Sequence, residues 1–288
     1  MSYNIIWKHI LITQIFLTIC VLDIYATPQI HDKLIYKGDT LYVYLHLPDE
    51  FYKPDTVRID SFVYVNRELN INLFGGKESC LSTACGNGYC CTWEIIDNQL
   101  YLTGIYSCCY DNDSIQADLN LLFKERLIDG RVKATWIDGS FTSRKGERLF
   151  YDHNLLDGGI FEYDLELSFK KGILKNTYLY DNRKSRLSEY STNSEKLQEH
   201  IYSNMNWDII PKQDSTIRVW VEFSSNIEGI IDEVVVRKGY NELYDQEAIR
   251  VIKSIPEWNI YLVKGKLQRQ KWTIAVVFSE ERRNKFKK

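Results

Sequence analysis

Cysteines are the residues whose type and spacing give this chain its clearest chemistry. Six of them fall within thirty residues, and a seventh, Cys20, lies in an apolar segment near the N-terminus. An even number of closely spaced cysteines in an exported chain predicts disulfide bonds. The spacing alone leaves the pairing open, because six cysteines can pair in many ways. The disulfide candidates are Cys80, Cys85, Cys90, Cys91, Cys108 and Cys109.

The predicted local structure favours disulfides over the alternatives. Residues 97–99 (Asp-Asn-Gln) lie between two apolar runs and predict a hairpin turn. This hairpin folds Cys108 and Cys109 back toward Cys85 and Cys90, so the Cα separations of about 4.4–6.8 Å that a disulfide requires are within reach. A zinc site is the sharper alternative, but the two Cys-x-x-Cys pairs typical of such sites do not occur. Free thiols are the third possibility.

Other signatures of catalysis or cofactor binding are missing from the sequence. None of the five histidines has the spacing of a metal-ligand pair, and there is no Gly-x-Ser-x-Gly motif or phosphate-binding glycine loop. Asp111, Asn112 and Asp113 lack the remaining ligands of a calcium-binding EF-hand, so a turn and a helix cap explain them. We therefore predict a protein without enzymatic activity, cofactor or metal.

Composition describes an ordinary globular chain. Its 288 residues suffice for two modest domains after removal of a leader, and 44% are hydrophobic and 26% charged. The net charge of −3 gives no electrostatic basis for binding nucleic acid. The 20 Tyr and 7 Trp residues favour β-structure, because aromatic side chains pack well on a pleated sheet.

The N-terminus has the features of an export signal. Residues 10–22 form an apolar run that is shorter than the about 20 residues of a normal membrane-spanning helix. Cleavage after Ala26 would release the mature chain, whereas an uncut segment would anchor it through residues 5–22. We predict that residues 1–26 are a signal peptide or a signal anchor, and that the remainder is exported.

Residues 27–190 predict an antiparallel, β-rich domain. Apolar residues at 161–169 alternate with polar ones, as in a strand with one solvated face. The single helix predicted here is 114–126, with Asp113 as its N-cap. Residues 181–191 are polar and charged, and predict a linker. The predicted strands are 41–46, 57–65, 92–96, 100–105, 132–137, 149–151, 161–169 and 173–180.

The C-terminal part mixes strand and helix periodicities, so the fold class is α+β. Thr192 and Glu195 form a capping box before an apolar helical pattern, which starts this domain near residue 191. Residues 217–223 and 230–237 predict a β-hairpin. Residues 243–255 predict a helix, and Pro256 ends it. The last predicted strand is Trp272–Phe278, and basic residues at 281–288 predict a solvated tail.

This order resembles the C-terminal domain of the TonB energy transducers, in the version common in proteins of the Bacteroidetes type. The domain is therefore expected to span residues 191–280. The resemblance rests on the order and spacing of several short motifs together. They are Val219-x-Val221-x-Phe223, Gly229, Val234-x-Val236-Arg237-Lys238-Gly239, the helix with Glu247-Ala248 and Arg250, Pro256-Glu-Trp258, and Gly265-Lys266.

The resemblance implies a periplasmic or cell-envelope protein that takes part in energy-coupled transport. In such proteins the domain binds the N-terminal motif of an outer-membrane receptor, which adds as a strand to the sheet edge. With a retained anchor, a proton-driven motor in the inner membrane would be a second partner. Trp220 and Trp258 are expected to pack rather than to contact the partner. The edge residues nominated for receptor binding are Trp272, Thr273, Ile274, Ala275, Val276, Val277 and Phe278.

The chain departs from a full transducer in its proline content. Only 5 Pro occur, whereas a transducer has a proline-rich, extended spacer to cross the periplasm. Leu267 also stands where the family often has proline. A second interpretation therefore stays open, in which an exported, disulfide-containing protein uses the TonB-like domain for protein interaction without a transport role.

Overall fold

The computed structural model describes residues 30–48, 73–77, 84–85, 87–151 and 158–287. The N-terminal segment, the strand predicted at 57–65 and Cys80 lie outside these residues. Within them the chain has the predicted α+β fold, with two main sheets, a two-stranded ribbon and six short helices. None of the helices in this part of the chain is long and apolar enough to cross a membrane.

Nine strands form the larger sheet within the described residues. In chain order they are β1 (Asp32–Tyr36), β2 (Asp39–Val43), β3 (Tyr89–Ile96), β4 (Gln99–Ser107), β5 (Leu127–Ile128), β6 (Arg131–Lys133), β7 (Gly139–Tyr151), β8 (Gly159–Lys170) and β9 (Ile173–Asp181). Across the sheet the order is β2-β1-β3-β4-β9-β8-β7, with β6 beside β4 and β5 beside β6. The β1–β3 pair is parallel and the other pairs are antiparallel.

The larger sheet curls until its edge strands β2 and β7 meet. The N–H of Tyr42 on β2 donates to Oγ of Ser143 on β7 over 3.2 Å, and Nζ of Lys145 lies 2.8 Å from Oδ2 of Asp39. The first contact satisfies a backbone donor that a sheet edge would otherwise leave unpaired, and the second is an ion pair between the two edge strands. The core lies inside the curl, and its fully buried side chains include Leu34, Trp93, Leu100, Leu102, Ile105, Ile137 and Leu167.

Two tight turns fix the strand pairing around β4. The hairpin predicted at Asp97 and Asn98 is confirmed, and both residues have positive φ, 47° and 64°. Such left-handed pairs form the two-residue turns that match the twist of a β-hairpin. Gly172 in the β8–β9 turn also has positive φ, and a Cβ atom there would lie 2.4 Å from the carbonyl oxygen of Ala134.

Several of the strands predicted in the larger sheet have different bounds in the structure, among them 41–46, which is Asp39–Val43. The strand predicted at 132–137 ends at Lys133, because the N–H of Ile137 bonds the carbonyl of Ala134 in a turn. The strand predicted at 149–151 is only the end of β7. The part of β7 before residue 149 is rich in charged residues and does not show the alternation that predicts a strand.

The helix predicted at 114–126 was wrong in extent. The chain instead forms two short helices, α1 (Tyr110–Asp113) and α2 (Leu119–Phe123), and a 3₁₀ turn follows the second. Ser114 separates them because its φ of 54° is left-handed. A right-handed helix cannot pass through a residue in that conformation.

The C-terminal part of the chain contains the second sheet. Its elements are α3 (Glu189–Thr192), α4 (Ser194–Ser203), β10 (Ile217–Ser225), β11 (Ile231–Lys238), α5 (Glu242–Lys253), β12 (Leu262–Val263), β13 (Lys266–Leu267), β14 (Trp272–Phe278) and α6 (Glu280–Phe286). The sheet order is β11-β10-β14, antiparallel throughout. The buried face of α5, with Ala248, Val251 and Ile252, packs in one core with Val219 and Phe223 of β10.

Both helix caps lie at residues other than those predicted. Asp118, not Asp113, caps α2, because the helix begins at Leu119 and the Asp118 carboxylate accepts from the N–H groups of Asn120 and Leu121. Asn193, not Thr192, caps α4. An amide or carboxylate oxygen that accepts the first free N–H groups is the usual device at a helix start.

The segment predicted as a linker, 181–191, is instead a structured crossing between the sheets. Asn182, Ser185 and Ser188 are buried, and Arg186 pairs with Ile260 through two backbone hydrogen bonds of 2.9 Å. The polar composition was misleading, because these side chains bond to backbone groups of the C-terminal part rather than to water. Buried polar groups with partners of this kind are stable in an interior.

The basic C-terminus is not a solvated tail, since α6 folds back onto the second core. Arg283 is only 8% exposed, and its guanidinium donates to the carbonyls of Trp207, Ile210 and Pro211. Its five N–H donors allow one side chain to bond several carbonyls at once. The expectation failed because composition alone does not distinguish the buried Arg283 from the exposed basic residues around it.

Candidate functional site

All seven residues nominated for partner binding lie in β14, at one edge of the smaller sheet. β14 pairs on one side with β10, in a register that places Ile217 opposite Phe278 and Phe223 opposite Trp272. No other strand of the described residues pairs with its second side. The prediction that these residues bind a partner strand stays a prediction, but the position at an edge is the one it requires.

The backbone of β14 presents alternate residues to its unpaired side. The N–H of Val277 points away from β10, because it donates to the hydroxyl of Tyr202 over 3.2 Å. Since alternate residues of a strand present their N–H and C=O groups to the same side, the backbones of Ala275 and Thr273 also face outward. Neither of these two N–H groups has a hydrogen-bond partner among the described residues.

Tyr202 closes one end of this edge. Its ring lies in the second core, and Arg282 stacks over it with 4.1 Å between the guanidinium carbon and the ring centroid. Burial raises the pKa of Tyr202 above its usual value, so the phenol keeps its proton and accepts from Val277 as a neutral hydroxyl. Sequence reasoning missed this residue, because nothing in the helical pattern of α4 indicates that its end reaches β14.

The side chains of β14 divide between the core and the outer face. Val276 and Phe278 are fully buried, whereas Trp272 and Ile274 are half-buried at the margin of the core. The outer face carries Thr273 and Ala275, beside Trp220 of β10, which is 40% exposed, whereas Val277 is half-buried and packs against the second core. Trp258 is buried against Phe223 and Trp272, with ring centroids 4.9 and 5.9 Å away.

The opposite edge of the smaller sheet, β11, is surrounded by ion pairs. Arg269 contacts Asp232 and Glu233, with nitrogen–oxygen distances of 2.7 and 3.0 Å. Arg237 of β11 contacts Glu222 over 2.6 Å and, with Lys271, holds the pKa of Glu222 below its usual value. Charged side chains along an edge discourage the addition of another strand. The β14 edge therefore suits strand addition better than the β11 edge.

The second candidate site is the cysteine cluster at the start of β3 and the end of β4. Cys85 and Cys108 form a disulfide with a Cα separation of 6.0 Å, and Cys109 is also disulfide-bonded. Cys90 and Cys91 are free thiols, so these two disulfide candidates are not bonded, and the alternative of some free thiols holds for them. Adjacent residues of a strand point to opposite faces, and Cys91 therefore points into the core, where it is 2% exposed.

Cys90 faces a groove on the other side of β3. The groove has a volume of about 470 Å³, and Cys90 and Cys108 both line it. Sγ of Cys90 lies 3.7 Å from Sγ of Cys85. Burial raises the pKa of Cys90 to about 11, with a further contribution from the Asp32 carboxylate. No group of three or more His, Cys, Asp or Glu side chains in the described part of the chain could hold a metal ion.

The two sites belong to different sheets and share no residue. The β14 edge offers unpaired backbone groups and a half-buried apolar margin, which suit an extended peptide. The cysteine cluster offers a disulfide beside a free thiol, which suits thiol chemistry. Comparison of the chain with protein-family models, with curated proteins and with solved structures found no match.

Proposed function

We propose that this chain is a TonB-like periplasmic protein that binds outer-membrane receptors by adding a receptor peptide to the β14 edge. The observation that carries the proposal is the outward-facing backbone of Thr273 and Ala275, whose N–H groups lack partners within the described residues. A peptide strand gains main-chain hydrogen bonds there and depends little on side-chain identity.

The surroundings of the edge define how such a peptide would lie. One face of the peptide would cover the half-buried side chains of Trp272 and Ile274, which burial from water favours by about 25 cal/mol per Å² of apolar surface. Its other face would lie on the solvent side, beside the side chains of Thr273 and Ala275. The hydroxyl of Tyr202 would end the added ladder at Val277, so the strand is short.

An exported location fits the chemistry of the larger sheet. The disulfide between Cys85 and Cys108 is a bond that persists in oxidising compartments such as the periplasm. Coupling to a proton-driven motor would further require that residues 5–22 remain as a membrane anchor. In that case, work from the inner membrane would reach the receptor through the β14 ladder.

The alternative is an interaction module without a transport role. It is favoured by the structured crossing at Arg186 and Ile260, because a folded unit stands where a transducer has an extended spacer. In that case the β14 edge would still bind an extended peptide. The two proposals therefore differ in whether the peptide comes from a transport receptor.

An NMR titration of the mature chain with peptides from the N-termini of the organism's own outer-membrane receptors tests the proposal. We expect amide shifts at Thr273, Ala275 and the flanking residues of β14. The Ala275→Pro variant should weaken binding about tenfold or more, because proline removes an outward N–H group and its ring projects toward the added strand.

The control is Thr273→Ala, which changes an exposed side chain and keeps the backbone donor. It should bind within about twofold of the wild type, since strand addition depends on the main chain. Equal binding by wild type and Ala275→Pro would refute strand addition at this edge. Binding at β14 by other extended peptides, but by none from a receptor, would favour the interaction module.

A further inference from the structure

The pairing of β3 with β4 gathers three sulfur atoms around one buried position. Cys90 lies opposite Tyr106 in the ladder, and Cys108 follows two residues later, so both side chains lie on the same face of the sheet. Residues in this diagonal relation are within reach of each other. Cys85 sits between them, bonded to Cys108 and 3.7 Å from Sγ of Cys90.

We propose that Cys85, Cys90 and Cys108 form a thiol–disulfide exchange centre. The Cys90 thiolate, after losing its proton to solvent, attacks Sγ of Cys85. A Cys90–Cys85 bond forms, the Cys85–Cys108 bond breaks, and Cys108 leaves as a thiolate that takes a proton from solvent. The step needs no oxidant or reductant, because one disulfide and one thiol are present before and after it.

The geometry assigns each sulfur a distinct part in the exchange. Cys85 is 4% exposed and is the shared, central sulfur, whereas Cys90 and Cys108 line the groove of about 470 Å³. The attacking sulfur is close to the separation of about 3–3.5 Å at which bond-forming atoms react. The exchange moves the free thiol from Cys90 to Cys108. A small disulfide compound in the groove then meets a thiol at Cys108.

Burial and the charges around Cys90 determine the fraction of this thiol that is ionised at a given pH. Burial and the Asp32 carboxylate raise its pKa, and Lys33 opposes them. Below that pKa the thiolate fraction, and with it the exchange rate, rises about tenfold per pH unit. The titratable groups that face Cys90 from β1 and from the other walls of the groove are His31, Asp32, Lys33, Tyr106, Tyr110 and Asp111.

Cys91 supplies a matched control within the same strand. It is a free thiol one residue from Cys90, but it lies in the core on the opposite face of β3. Burial raises its pKa well above the usual value, and it is only 2% exposed, although it also borders the groove. A chemical effect that depends on Cys90 and not on Cys91 therefore reports the position of the sulfur rather than its residue type.

The experiment follows the location of the free thiol in the full chain, purified without reductant. The protein is held between about pH 7 and pH 9, quenched in acid and alkylated after denaturation, and peptide mass spectrometry locates the label. We expect label to appear on Cys108 as it declines on Cys90, about tenfold faster per pH unit. The Cys91→Ser variant should behave like the wild type, whereas Cys90→Ser should leave Cys108 unlabelled.

The Cys108→Ser variant gives a second, independent measurement. With its usual partner removed, Cys85 should be recovered in a disulfide with Cys90 after exposure to air. Cys108 that stays unlabelled in the wild type at the highest pH would overturn the proposal. Equal labelling of Cys108 in wild type and Cys90→Ser would overturn it as well, since the attacking sulfur would then not be Cys90.

Discussion

Asp32 is a buried carboxylate whose titration should be visible in the stability of the whole protein. It is 7% exposed and accepts hydrogen bonds from the N–H of Cys91 at 2.7 Å and from Nε1 of Trp93 at 2.9 Å. Burial nevertheless raises the pKa of Asp32 to about 6, because the cost of desolvating the charge exceeds the help of both donors. Replacing Asp32 with Asn removes this titration and keeps the shape of the side chain.

The magnitude follows from the difference between the folded and unfolded pKa values. The pKa of Asp32 rises from its usual value of 3.8 to about 6. Each pKa unit corresponds to about 1.4 kcal/mol, so protonation of Asp32 changes the free energy of unfolding by at most about 3 kcal/mol. Between these two pH values the folded protein binds a proton that the unfolded chain has lost. The stability contributed by this bound proton is fully present below the unfolded pKa of Asp32, and it is lost as pH rises through about 6.

Urea unfolding of wild type and Asp32→Asn, followed by tryptophan fluorescence at intervals between pH 4 and 7, measures the effect. The free energy of unfolding of the wild type, relative to the variant, should fall by about 2 kcal/mol across this range. Other carboxylates titrate in both proteins and cancel in the difference.

Asp181→Asn is the matched control, because it removes an exposed carboxylate. The hydrogen bonds from Arg183 lower the pKa of Asp181 to about 2, so its titration lies below the measured range. This variant should therefore show the same slope as the wild type. A difference between wild type and Asp32→Asn that stays constant from pH 4 to pH 7 would refute the reasoning that burial dominates at Asp32.

Two further pairs of variants test packing. Arg283→Ala should lower the free energy of unfolding by about 2–3 kcal/mol, because it leaves buried carbonyls without a charged donor, whereas the exposed Lys285→Ala should change it by less than about 0.5 kcal/mol. Gly172→Ala should destabilise more than Gly130→Ala, by about 1–3 kcal/mol. Both glycines have positive φ, but only at Gly172 would the new Cβ meet a backbone oxygen, that of Ala134. Urea unfolding measures all four, and equal effects within either pair would contradict the packing argument.

Local periodicity predicted the smaller sheet well. The strand at 217–223 and the helix at 243–255 appear within two residues of their expected bounds, because each buries one regular face against the other. The edge position of β14 follows from the order of the three strands. Alternation cannot reveal which hydroxyl reaches the end of that edge, so Tyr202 was found only in the structure.

The cysteine cluster shows where local signals were incomplete. The strand predicted at 92–96 begins at Tyr89 in the structure, so Cys90 and Cys91 lie inside it and point to opposite faces. If the strand had been predicted to begin at Tyr89, the alternation of side chains would have placed Cys90 and Cys91 on opposite faces, one toward the groove and one toward the core. The pairing of Cys85 with Cys108 depends on contacts between distant parts of the chain, which no spacing rule supplies.

Asp164 connects the two sheets in a way that affects how the protein can be divided. One carboxylate oxygen of this fully buried residue on β8 bonds Arg144, and the other accepts from the backbone N–H of Lys264 at 2.6 Å. Asn182 similarly accepts from the N–H of Gly265 at 2.9 Å. Cutting the chain between the sheets would leave these buried acceptors without donors. We therefore expect the two cores to unfold together, and we expect neither half to match its native stability when expressed alone.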